Sequence, residues 1–146
     1  MRRLAFYLTL LALASAYGMA KDETVDELKT RFASARPEDR PELGIRIAQH
    51  QLRIADKLYN EGKVEQARES VEDIVAYSEK ARDAATQTKK RLKNVEIDVR
   101  KMADKLRDIR RTLAFEDQPP VEQAIGQLED IRTTLLKEMF AKKEKK

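Results

Sequence analysis

VEQARESVEDIVAYSEKARDAATQTKKRLKNVEIDVRKMADKLRDIRRTL, from Val64 to Leu113, decides how this chain folds. Read in steps of three and four it gives Val64, Ala67, Val71, Ile74, Ser78, Ala81, Ala85, Thr88, Leu92, Val95, Val99, Met102, Leu106, Ile109 and Leu113. After the first step the four/three alternation never slips, and no Gly or Pro falls inside it. That spacing lays one stripe along a helix at the 3.5-residue period of coiled-coil and antiparallel-bundle seams. With no breaker present, the stretch predicts one continuous helix, about 75 Å long at ~1.5 Å per residue, in preference to the alternative of a break near Thr86-Gln87-Thr88, where the seam is small and polar.

The flanks are shorter and face back towards it. Leu43, Ile47, Ile54 and Leu58, with Ala48, Leu52, Ala55 and Tyr59 beside them, make an amphipathic helix of Glu42 to Glu61. Gly62 is the natural left-handed residue to end it, so this helix and the long one should form an antiparallel hairpin. Beyond the long helix, Pro119 and Pro120 fit a first helical turn, where no backbone donor is needed, with Asp117 or Gln118 as cap. Val121, Ala124, Leu128, Ile131, Leu135 and Met139 stripe the last helix. Upstream, Val25, Leu28 and Phe32 suit a short helix, interrupted by Pro37 and Pro41, with Asp39 placed to cap the next helix. The fold class expected is therefore all-α: an elongated antiparallel helical bundle built on one long coiled-coil-like helix, about 64–114, with shorter helices folded back on each end.

Ile54, Ala55, Leu58, Tyr59, Gly62, Val64, Ala67 and Val71 together resemble the helix-turn-helix of a tetratricopeptide repeat, with its large residues, turn glycine and small packing alanine. The TPR-like resemblance covers about residues 42–77, a single copy. The position near Ile74 is large where the family has a small residue, no Pro closes the second helix, and no second copy follows. Repeat arrays bury their faces by stacking about three units.

Composition narrows the classes further. Charged residues make up 38% of the 146 positions and aromatic residues 5%, with no Trp and no Cys. Disulfides, thiol catalysis and thiolate metal sites are excluded. Met1-Arg2-Arg3 followed by apolar Leu4 to Ala14, with small residues at Ala14-Ser15-Ala16 and Gly18-Met19-Ala20, reads as a cleaved signal peptide of about residues 1–20. The apolar run falls short of the roughly 20 residues a membrane span needs. The expected domains are a leader, a single helical domain over 21–140, and a basic disordered tail over 141–146; the expected location is periplasmic or secreted.

Charge divides the long helix. Glu61 to Asp83 holds seven acids and four bases, whereas Lys89 to Arg111 holds ten bases and four acids. Lys89, Lys90, Arg91, Lys93, Arg100 and Lys101 are the candidate surface for an anionic membrane or envelope polymer. No aromatic residue interleaves them, which speaks against stacking on nucleobases. Between the two halves, Ala81, Ala85 and Thr88 form a thin seam lying beyond the reach of either flanking helix. It is the candidate strip for self-association, with a second copy crossing antiparallel so that acidic and basic halves face each other; the alternative is that Val25, Leu28 and Phe32 of the N-terminal helix lie over it within one chain.

The remaining candidates read as ordinary surface. His50 has no carboxylate or nucleophile at i±3 or i±4, which suits a half-exposed surface histidine. Glu65, Glu69 and Asp73 repel one another along one row unless answered, and Arg53 and Lys57 across the hairpin are the expected partners. No phosphate loop, nucleophilic set or metal spacing is present, so no cofactor and no enzymatic activity are expected. What remains is an exported, non-enzymatic structural or protein-interaction module.

Overall fold

The computed structural model describes residues 23–144, with side chains to residue 141. The leader of residues 1–20 and the last two residues lie outside the described residues. Five α-helices follow in order: α1 Val25–Ser34, α2 Arg40–Asn60, α3 Val64–Thr88, α4 Leu92–Thr112 and, after a 3₁₀ turn at Phe115–Asp117, α5 Gln118–Glu144. There is no strand among the described residues. The all-α bundle stands, as does each helix read from the stripes.

The single long helix does not. The chain breaks at residues 89–91, and Lys89 (φ 58°) and Arg91 (φ 61°) both take the left-handed conformation. For a residue with a Cβ this costs roughly 1–2 kcal/mol each. Folding back brings Leu92, Val95, Val99, Met102, Leu106 and Ile109 into one core with the first hairpin. Each large aliphatic side chain fully removed from water contributes about 1.5–3 kcal/mol, so two of them outweigh the strain. Packing imposes this turn.

The molecule is thus two helical hairpins, α2–α3 and α4–α5, laid side by side rather than end to end. α5 packs along α3 and α4 along α2, while α2 and α5 scarcely touch. Arg91–Glu42 (3.1 Å) and Lys105–Asp56 (3.3 Å) tie α4 alongside α2 in parallel, and Lys89 Nζ reaches Glu138 Oε2 near the end of α5 (2.6 Å). Between α4 and α5 runs a charge ladder. Arg107 meets Glu129 at 2.9 Å, and Arg132 meets both Glu129 (3.1 Å) and the buried Glu96 (3.0 Å).

α1 begins with a capping box in which Thr24 accepts from the Glu27 amide and Glu27 accepts from the Thr24 amide. It packs on α2 through Leu28, Leu43 and Ile47. Phe32 stands edge-on to Tyr77 of α3, ring centres 5.6 Å apart. The Asp39 cap expected for α2 is not made: Asp39 accepts from Arg36 Nε instead (3.0 Å). Of the stretch read as a basic tail, residues 141–144 continue α5 as helix, and the last two lie outside the described residues.

Candidate functional site

The strip expected to mediate self-association is already covered from within the chain. Ala81 and Ala85 are fully buried and Thr88 is half-buried. At Gly44, α2 crosses so close to α3 that an added Cβ would lie 3.0 Å from the Tyr77 carbonyl oxygen and 3.1 Å from Ala81 Cβ. Glycine on one helix and alanine on the other make this approach possible. The thin seam is thin because the helices nearly touch there, and the expectation of an open strip is overturned. Thr88 finishes α3 by donating its hydroxyl to the Ala84 carbonyl (2.7 Å).

The acidic row is also answered differently from expectation. Asp73 accepts from Lys29 of α1 (2.6 Å) and Gln51 of α2 (2.7 Å), not from Arg53 or Lys57. The hydrogen bond to Asp73 favours the charged ammonium and holds the Lys29 pKa above its usual range. Glu65 pairs with Arg68 (3.5 Å) and Lys57 with Glu61 (3.9 Å). No cluster of His, Cys, Asp or Glu able to hold a metal ion occurs among the described residues. No helix among the described residues is long and apolar enough to cross a membrane.

Two surfaces remain. The first is a groove of about 620 Å³ between the start of α3 and the start of α5. Val71, Val75 and Ala76 line one wall, Pro119, Pro120 and Ala124 the other. The two prolines stiffen the α5 wall and offer no backbone donors. Glu72, Glu79 and Glu116 stand around it with no ion pair among the described residues, beside Gln123, Gln127 and Arg68, whose ion pair is with Glu65, and Gly126 next to the α5 wall faces open space. Sequence reasoning missed this site, because it takes residues some 45 positions apart that meet only when α5 lies parallel to α3.

The second is the basic edge. All six predicted bases are exposed. Lys89 and Arg91 are held by Glu138 and Glu42, whereas Lys90, Lys93, Arg100 and Lys101 make no ion pair among the described residues. Further along α4 the charge is consumed locally: Arg107 by Asp104 and Glu129, Arg110 by Glu122, Arg111 by Asp108. Four of the six, Lys90 just before α4 and Lys93, Arg100 and Lys101 in its first half, are thus exposed with no ion pair among the described residues. Behind them Asp98, half-buried against α2, has its pKa raised by burial, with Lys101 pulling the other way.

Comparison with protein families, with curated proteins and with solved structures finds no match for this chain. The class is therefore defined by the fold alone, as an all-α bundle of two paired hairpins carrying one acidic-rimmed groove and one basic edge.

Proposed function

We propose that this protein is an exported, non-enzymatic interaction module of the cell envelope whose α3–α5 groove receives a basic amphipathic segment of a partner protein. The observation that carries the reading is a groove with apolar walls in which three carboxylates with no ion pair among the described residues outnumber the one lining cation, Arg68. An amphipathic helix laid in such a groove would bury its apolar face, and Lys or Arg on its flanks would meet Glu72, Glu79 and Glu116. Export rests on the leader read in residues 1–20. Titration calorimetry against basic amphipathic peptides tests the idea. Saturable binding should weaken at least about tenfold in Glu72→Gln/Glu79→Gln/Glu116→Gln, since each lost charge pair at a partly desolvated rim is worth of order 0.5–1 kcal/mol. Affinity unchanged in the triple variant would end it.

A second reading is favoured by Lys90, Lys93, Arg100 and Lys101, which form a cationic edge for an anionic membrane or envelope polymer. Phe140, 56% exposed, lies near the same end of the bundle, just beyond the Glu138 that pairs with Lys89. Co-sedimentation with phosphatidylglycerol vesicles should fall steeply as salt rises. Binding that ignores salt, or none at all, removes this reading.

A further inference from the structure

The turn at residues 89–91 carries two features that contradict each other as local structure. Lys89 and Arg91 sit in the left-handed region without being glycine. Lys89, Lys90 and Arg91 are also good helix formers, and the four/three stripe runs through them without a slip from Ala85 to Thr88 to Leu92. By its own preference this segment is helix, and the packing of α4–α5 onto α2–α3 within one chain is what bends it. Contacts between the two hairpins do not require that both come from the same chain.

We infer that the turn is a hinge for exchange between copies: α3 and α4 join into one continuous helix, and the α4–α5 hairpin docks on the α2–α3 hairpin of a second copy. The contacts between hairpins made outside the turn are kept, including Lys105–Asp56. Only the strained turn is lost, and its three residues gain the helix they favour. Short strained hinges between docked units are the known setting for such exchange. The two long helices run antiparallel in the pair, so the acidic α3 half of one copy lies alongside the basic α4 half of the other. The α3–α5 groove would then have one wall from each copy. The occupant of each copy's docking face is thus a second copy of this chain.

Isotope mixing tests this without altering the protein. Unlabelled and ¹⁵N-labelled chains are unfolded together, refolded at high concentration, separated by size and coupled with a zero-length carbodiimide. The Lys105–Asp56 pair is close enough to couple, at 3.3 Å. The expected result is a dimer whose Lys105–Asp56 products include mixed-isotope species. Lys89→Gly/Arg91→Gly should lower dimerisation at least about a hundredfold. Each glycine relieves the left-handed strain of the closed form and weakens the open helix, each effect worth about fivefold or more. Lys89→Ala/Arg91→Ala keeps that strain and should raise the dimer fraction. The proposal is overturned if the refolded protein is monomeric at every concentration. It is equally overturned by a dimer whose coupled pairs carry one isotope only, which is side-by-side association, or by a dimer fraction that glycine leaves unchanged.

Discussion

Two turns of this bundle do the same job by opposite means. At residues 61–63 the chain reverses on Gly62 (φ 74°), and the end of α2 is closed by backbone bonds from Gly62 to Tyr59 (3.0 Å) and from Lys63 to Leu58 (2.9 Å). At residues 89–91 it reverses on two long basic side chains held in the same left-handed region. The first turn is closed by its own backbone bonds. The second is held by the core that the two hairpins share. A turn written in glycine announces itself in a sequence, whereas one imposed by tertiary packing does not.

If packing makes the second turn, loosening the shared core should hurt more than any change in a turn residue. Leu106 is fully buried in the core that all four long helices share. Leu106→Ala is expected to cost about 2–5 kcal/mol in urea unfolding. A loss below that of the turn variants would mean the hairpins scarcely depend on each other.

Glycine should have opposite signs at the two turns. Gly62→Ala meets no neighbouring atom within 4 Å, so only its φ is strained, and the expected loss is about 1 kcal/mol. Lys89→Gly and Arg91→Gly should each raise the stability of the dilute monomer by up to about 1 kcal/mol, less a few tenths where Lys89 gives up its exposed pair with Glu138. Losses at all three positions would show that the left-handed residues near 90 are not strained.

The smallest effect concerns Asp98, which lies close behind the second turn where α4 meets α2. Its pKa is raised in the folded protein, above an ordinary 3.8, so burial opposes its charge. A raised pKa adds stability below the unfolded value and forfeits it as pH climbs through the folded one. Asp98→Asn should therefore raise the melting temperature slightly at pH 7 and make no difference near pH 3. A lower melting temperature at pH 7 would mean that the carboxylate serves a partner and that α2–α4 docking is tighter than its burial suggests.

Most of the helices were legible because each is a stripe ended by punctuation, such as Gly62 or Pro119-Pro120. Thr24 with Glu27 three residues on is an equally plain start signal for α1, carried by capping rather than by a stripe. The fold back at residue 90 left no such mark: a seam that continues in phase is compatible with a straight helix and with a bent one. The candidate sites inherited that ambiguity. The basic edge could be found because charge on α4 stays exposed whichever way α4 points. The groove could not, because whether Val75 meets Ala124 depends on the bend. Ala81 and Ala85 are ambiguous for a related reason, since small residues mark close approach without naming the helix that approaches, here α2 at Gly44.

The ladder between α4 and α5 has a consequence for the way these helices find their alignment. Arg107 lies against Glu129, and Arg132, three residues further along α5, lies against Glu96. Slide α5 by one turn in one direction and Arg107 comes beside Arg132; slide it in the other and the buried Glu96 comes beside Glu129. Aliphatic stripes alone tolerate such slips, because a leucine fits the next hole along almost as well as its own. The four charges behave like the wards of a lock. As the helices zip together they test their own alignment and refuse an error of a single turn either way.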